Sequence, residues 1–246
     1  MTEPKGYTWP CNAGGGKMIE VRELSVEREK REILHGISFH LKKGTCTALL
    51  GANGAGKSTL LLTLAGAYPI LKGTGSIAGL SLNKQNLPQL RQKIGLLFQD
   101  PDDQLFLATV QDDIAFGPRN LHLSESEIQQ RIVAIAETLH ITPLLSRSAS
   151  QLSGGEKRLV ALASLLVMEP ELLLLDEPGT FLDPRSRRNL ICLLAQLPQT
   201  MLIATHDFAL AEALCSQVIL LKEGRIFAQG DISLLTNQTL LEEAGL

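Results

Sequence analysis

The feature that most constrains this chain is the run Gly51-Ala52-Asn53-Gly54-Ala55-Gly56-Lys57-Ser58. It matches G-x-x-x-x-G-K-[ST], and the residue types have physical reasons. Glycines let the backbone curl so that successive N–H groups point inward at phosphate oxygens. A helix that follows presents its positive end to the same oxygens. The context fits: Thr45 to Leu50 reads as an apolar strand, and Lys57 to Ala65 reads as a helix. The expectation is a nucleotide site. Gly51, Asn53, Gly54, Ala55 and Gly56 form the cradle, and Lys57 reaches the β and γ phosphates. Ser58 offers its hydroxyl to Mg²⁺, and Thr59 supports the α phosphate.

A second feature sits far along the chain. Leu172-Leu173-Leu174-Leu175-Asp176-Glu177-Pro178 reads as a buried strand ending in two carboxylates. Asp176 is placed to hold Mg²⁺ directly or through water. Glu177, pointing differently, is placed to polarise an attacking water as general base. Leu172 to Leu175 and Met201 to Ala204 are continuous apolar runs, as parallel strands covered on both faces require.

The rest of the pattern is consistent with an α/β chain. Ile19 to Leu24, Ile37 to Leu41 and Ile94 to Phe98 read as strands, and the charged run Glu27 to Glu32 as a solvated turn. Residues 101–168 read as mostly helical. There Ser124 and Glu127 have capping-box spacing, and Ile128, Ile132, Ile135 and Leu139 recur at helical spacing. Val218 to Leu221, Glu223-Gly224 and Ile226 to Gln229 read as a hairpin. Residues 1–17, with Pro4, Pro10 and Gly14-Gly15-Gly16, have the composition of a flexible tail. Residues 18–246 are expected to form the folded domain.

Composition narrows the function classes. Charged residues are 20% and the formal net charge is −3, so no basic excess points to nucleic acid. Aromatics at 4% leave few stacking platforms for single strands. No apolar run is long enough to cross a membrane, and the amino terminus lacks the pattern of a signal peptide. Cys11, Cys46, Cys192 and Cys215 are scattered, with no CxxC pair. That suits small apolar fillers in a reducing compartment.

The run Leu152-Ser153-Gly154-Gly155-Glu156-Lys157-Arg158 precedes an apolar helix. A serine, two glycines and a helix amino terminus make another anion site, distinct from the first. One chain therefore offers two half-sites for one triphosphate. With these residues, with Gln99 after an apolar strand, with Leu182-Asp183 and with His206 after another strand, the chain resembles the ATPase subunits of ATP-binding-cassette transporters.

The resemblance spans essentially residues 18–246. It implies a P-loop (RecA-like) parallel-sheet core, an amino-terminal antiparallel β subdomain and an inserted helical subdomain at roughly 101–168. It implies ATP and Mg²⁺ as cofactors and a head-to-tail pair of cassettes, from a second copy or a paralogue. ATP then lies between the phosphate loop of one and the signature of the other. Ser153, Gly154 and Gly155 serve the partner's γ phosphate. Gln99 touches Mg²⁺ and the lytic water, His206 bonds the γ phosphate and orients the water, and Asp183 communicates across the pair.

The segment Gln99-Asp100-Pro101-Asp102-Asp103-Gln104-Leu105-Phe106, continued by Asp112 to Pro118, resembles the energy-coupling-factor importers of the cobalt and nickel branch. That implies a transmembrane coupling protein, a membrane substrate-binding protein and a peripheral location on the cytoplasmic face of the cell membrane. Asp100, Asp102 and Asp103 are expected to dock an arginine-bearing helix of the membrane partner. One departure stands out. No aromatic lies between Met18 and Ser38 to stack on adenine: either Arg28, near the expected position, stacks on the base instead, or the loop binds adenine weakly. The alternative function is a soluble cassette ATPase for cofactor assembly. A non-hydrolytic ATP switch is opposed by the presence of both Glu177 and His206.

Overall fold

The computed structural model describes residues 16–246. Residues 1–15 of the expected tail lie outside the described residues, and Lys17 already opens the first strand. The described chain divides into two compact units. A sheet unit holds the residues up to Leu96, Glu171–Pro178 and Pro198–Leu246. A helical unit holds Leu97–Pro170 and Gly179–Leu197.

The sheet unit begins with β1 (Lys17–Arg28) and β2 (Arg31–Lys42), an antiparallel pair. The charged run Glu27 to Glu32 is therefore mostly strand, not turn. Only Glu29 and Lys30 turn, at φ 51° and 62°. Two successive left-handed residues give the tight hairpin whose twist matches its strands. The charges sit on exposed strand ends, which a composition-based reading takes for a loop. β4 (Lys72–Ile77) pairs with β1, and the two-residue β5 (Leu80–Ser81) pairs with β4.

The second sheet runs β10-β9-β3-β8-β7-β6. Its strands are β3 (Cys46–Leu50), β6 (Ile94–Leu97), β7 (Leu172–Asp176), β8 (Thr200–Ala204), β9 (Gln217–Lys222) and β10 (Arg225–Asp231). β3 is parallel to β8 and to β9, and β7 is parallel to β8. β3, β7 and β8 are buried at every position, as their unbroken apolar runs require. β9 and β10 form the expected antiparallel hairpin around Glu223 and Gly224. Short helices α1 (Lys57–Leu64), α2 (Leu87–Lys93), α7 (Phe208–Leu214) and α8 (Gln238–Ala244) complete the unit. Leu24, Leu34, Leu49, Leu60, Leu174 and Leu202 meet in its core at full burial. Removing such a leucine side chain typically costs about 2–5 kcal/mol.

The topology brings three chain segments to one sheet edge. The carboxyl ends of neighbouring β3, β8 and β7 run directly into Gly51, Thr205 and Glu177. Open parallel sheets bind ligands at that edge. The fold thus gathers the phosphate loop and the acidic pair although about 120 residues of sequence separate them.

In the helical unit, α3 (Val110–Asn120) packs on α4 (Glu125–Thr138) and α5 (Gly154–Leu166), and α5 packs on α6 (Pro184–Ala195). Ile128, Ile132, Ile135 and Leu139 are buried, as their spacing predicts. The Ser124 hydroxyl accepts from Glu127 N–H, but the reciprocal half of the box is absent. The Glu127 carboxylate pairs instead with Arg131 at 2.9 Å, one turn on. An ion pair at i, i+4 outcompetes the reach back to the cap.

Candidate functional site

The phosphate loop leaves β3 at Gly51 and enters α1 through Gly56. Gly51 passes so close to β9 that a Cβ there would lie 2.3 Å from the Leu221 carbonyl oxygen. Gly56 has φ 103°, open only to glycine at low cost, and a Cβ would lie 2.8 Å from Leu34. Gly56 caps α1 without any side-chain hydrogen bond. By contrast α3 to α8 are each capped by a side-chain oxygen. Gly56, having no side chain, takes none of the first N–H groups of α1 for itself, as an anion cradle requires.

Lys57 is buried, and its ammonium donates to the carbonyls of Gly51 at 2.6 Å and Ala52 at 3.2 Å. Burial pushes its pKa down, while the charges of Glu177 and Asp176 oppose that shift. Asn53, Gly54 and Ser58 are exposed, Ala55 is buried and Thr59 is half-buried. Asp176 closes β7 and is buried. Ser58 and Asp176 offer hard oxygen donors in one unit, a donor set that suits Mg²⁺.

Glu177 is the most constrained residue of the site. Its φ is 46°, a left-handed conformation costing on the order of 1–3 kcal/mol for a non-glycine residue. Its N–H donates to the Ala204 carbonyl at 2.8 Å, which continues the β7–β8 ladder by one step. The side chain is buried and held at both oxygens. The Thr205 hydroxyl donates to Oε2 at 3.2 Å, and His206 Nδ1 lies 2.9 Å from Oε1. A carboxylate partner puts the imidazole proton on Nδ1. The ring itself is largely exposed, and Nε2 is the nitrogen not engaged by Glu177. Sequence reasoning missed Thr205. Its hydroxyl also accepts Asp207 N–H at 3.1 Å, so it ties the Glu177 carboxylate to the start of α7. A hydroxyl residue between a buried strand and His206 was the available signal. Only strand pairing reveals the partner 28 residues away.

Arg28 is exposed at the end of β1, and its guanidinium lies 5.4 Å from the Tyr68 ring centroid in a cation–π contact. The face expected to take adenine is shared with this chain's own tyrosine.

The remaining expected residues belong to the helical unit. Gln99 is exposed and follows β6. Asp100 caps the 3-10 turn Pro101–Asp103 by accepting Asp102 N–H at 2.9 Å. Asp102 pairs with Lys157 at 2.6 and 2.9 Å, so its charge is already met within the unit. Ser153 caps α5 in a full capping box, a motif its S-x-x-E spacing already contained. Ser153 N–H and Ser153 Oγ both approach the Glu156 carboxylate at 2.8 Å. Those bonds hold the Glu156 carboxyl below its ordinary pKa. Gly155 packs against α6, where a Cβ would lie 2.9 Å from Ser186 Oγ. Gly154 is open. Asp183 caps α6 through Arg185 and Ser186 N–H, and the Ser186 hydroxyl donates to its other oxygen. These bonds lower its pKa.

The scattered-cysteine reading needs one addition. Cys46 and Cys215 Sγ atoms lie 3.0 Å apart in the core of the sheet unit, whereas Cys192 is exposed. Each buried thiol fills core volume as expected, and each also partners the other.

Comparison with known proteins agrees with this geometry. The family model described as ABC transporter matches residues 34–180. The energy-coupling factor transporter ATP-binding protein EcfA of Carboxydothermus hydrogenoformans is 44% identical over 232 residues, covering 93% of this chain and 86% of that one. The structure of cbiO1 from Clostridium perfringens, described as part of the ABC transporter complex cbiONQ, superposes with a TM-score of 0.81 at 35% identity. It covers 92% of this chain and 93% of that one. The cassette MJ0796, solved as a dimer in a post-hydrolysis state with ADP and Pi, superposes at 0.78 with 23% identity, over 87% and 99% of the two chains. That last likeness is one of fold.

Proposed function

This chain belongs to the ABC transporter family as an ATPase subunit similar to EcfA and cbiO1, and we propose that it drives an energy-coupling-factor importer for cobalt or nickel ions. The observation that carries the motor reading is Glu177, held at both oxygens by Thr205 and His206 at the sheet edge where the phosphate loop also begins. The cargo reading rests on the segment from Gln99 to Phe106 and on Asp112 to Pro118, together with the likeness to cbiO1.

In this reading the phosphate loop and the bare end of α1 bind the triphosphate of ATP, with Lys57 leaving the Gly51 and Ala52 carbonyls for phosphate oxygens. Ser58 and Asp176 would hold Mg²⁺, which would neutralise charge developing on the phosphate oxygens. Gln99 is carried over from the family resemblance as a further contact of that ion and of the γ phosphate. Glu177 accepts the proton of the attacking water. Thr205 and His206 fix the carboxylate so that its aim costs no reorganisation at the moment of reaction. Ser153, Gly154 and Gly155 contact the γ phosphate held by a second cassette, and Asp183 lies at that junction. ATP then closes the pair, and hydrolysis removes the contacts that close it. Arg28 and Tyr68 together face the adenine.

Among the described residues no helix is long and apolar enough to cross a membrane. The chain then works from the cytoplasmic face through membrane partners: a transmembrane coupling protein and a substrate-binding protein. Asp100 and Asp103 remain exposed for a basic helix of the coupling protein.

The test is recovery of the tagged chain from gently solubilised membranes of its source, with partners identified by mass. Small multi-spanning membrane proteins are expected, and cobalt or nickel uptake should fall when the chain is deleted. Recovery with soluble partners alone, and unchanged uptake, would move the assignment to a soluble assembly ATPase.

A further inference from the structure

Among the described residues Arg158 heads the fully buried side chains by volume, at 2% exposure. Burying a guanidinium costs several kcal/mol unless its donors are met. Two of them are met by consecutive carbonyls, Nη1 to Phe98 O at 2.7 Å and Nη2 to Gln99 O at 2.6 Å. The planar fork thus grips the backbone at Gln99 itself. The preceding residue on α5, Lys157, grips the same segment further on, through Asp102. Between these anchors the segment borders a cavity of about 190 Å³ lined by Asp100, Pro101, Lys157 and Arg158. The two carbonyl bonds from Arg158 lie at the near end of that segment and the Lys157 ion pair at its far end.

We propose that Arg158 is a positioning residue for Gln99, and that through it the Gln99 backbone follows the first turns of α5. The inference deepens the reading above and rests on Gln99 as a γ-phosphate and Mg²⁺ contact. Its consequence is a link between two ATP sites. Ser153, Gly154 and Gly155 open α5 and face the nucleotide of the second cassette, whereas Gln99 serves the nucleotide of its own. Arg158 lies one turn into the same helix, so a shift of the α5 end on meeting phosphate carries the Gln99 carbonyl with it. The bland alternative is an arginine that only satisfies two carbonyls and holds α5 in its unit.

A double-mutant cycle on the full chain separates the two. The variants are Arg158→Lys, which keeps the charge but loses the fork, Arg158→Gln, which keeps a neutral donor, and Gln99→Ala, alone and combined. The readouts are kcat, the Hill coefficient for ATP, the Kd for a fluorescent ATP analogue and the midpoint of thermal unfolding. In Arg158→Lys, kcat should fall about tenfold with Kd within about twofold, as for a misplaced contact rather than a lost one. The Hill coefficient should drop towards one. In the Gln99→Ala background the same substitution should cost nothing further, because residues acting through one another are not additive. Equal slowing by Arg158→Lys in both backgrounds would overturn the proposal, as would parent-like turnover in Arg158→Lys. Loss of the fold by both the Lys and Gln variants would also overturn it, by making the arginine a structural residue. Parent-like turnover of Gln99→Ala would overturn it together with the role of Gln99.

Discussion

The amino ends of α1 and α5 are both proposed to meet phosphate, yet they are finished in opposite ways. The α1 end is uncapped by its own N-cap residue, because Gly56 offers no side chain. The α5 end is closed on itself, because Ser153 and Glu156 satisfy one another. An uncapped end can take phosphate as it stands. A capped end must loosen its Ser153–Glu156 bonds before Ser153 can turn to a phosphate, so it gives up part of what it gains. The comparison suggests a division of labour. The first end binds ATP in the single chain, and the second responds only when a partner presents a phosphate already held.

The sharpest way to test that division is at the proposed base, Glu177, which belongs to the sheet edge shared with α1. Glu177→Gln should cut turnover by roughly 10²–10⁴-fold, the range for loss of a general base, while ATP binding persists. Steady-state ATPase together with equilibrium nucleotide binding reads both. Turnover within a few-fold of the parent protein would remove Glu177 as the base. Next in size is the contrast between the two ends. Lys57→Ala should abolish measurable ATP binding to the dilute monomer. Ser153→Ala should leave that binding intact and lose ATP-driven pairing, followed by light scattering in the Glu177→Gln background. If Ser153→Ala weakened monomer binding as Lys57→Ala does, the division would collapse.

Ser153→Ala also has a stability cost that Gly56 has no counterpart for. Loss of a serine cap typically costs about 1 kcal/mol, which denaturant unfolding resolves. An unchanged midpoint would mean that the box contributes nothing to α5.

These contrasts also mark what the sequence could show. Gly51 to Ser58, Asp176-Glu177 and Leu152 to Arg158 were legible because each is a local run whose chemistry needs its spacing. The apolar stripe of α4 was legible for the same reason, being repeated every turn. Thr205 was not, because its partner Glu177 is adjacent only through the β7–β8 pairing. Arg158 stood in plain view within a quoted motif, but a charged residue reads as solvated. Its burial follows from sharing the helix face of Ala161, Leu162 and Leu166, a clue in the spacing that its charge obscures. Glu29 and Lys30 show the converse, where six charged residues concealed two strand ends and a two-residue turn.

The smallest effect expected is the most informative about the closed end. The Glu156 carboxylate accepts from Ser153 N–H and Oγ, and these bonds hold its carboxyl below the usual carboxylate range. Such a group adds stability above its unfolded pKa and loses it as pH falls through the lower folded value. Glu156→Gln should therefore cost a few tenths of a kcal/mol at neutral pH, about the size of an exposed charge at a helix terminus. The deficit should vanish in acid below both values. The same change removes a negative charge from beside the end proposed to meet a γ phosphate, so ATP-driven pairing should tighten by about two- to fivefold, with the gain shrinking in high salt. Stability and pairing then move in opposite directions from one substitution. If both fell together, Glu156 would be an ordinary cap, and the closed end of α5 would not be competing with its ligand.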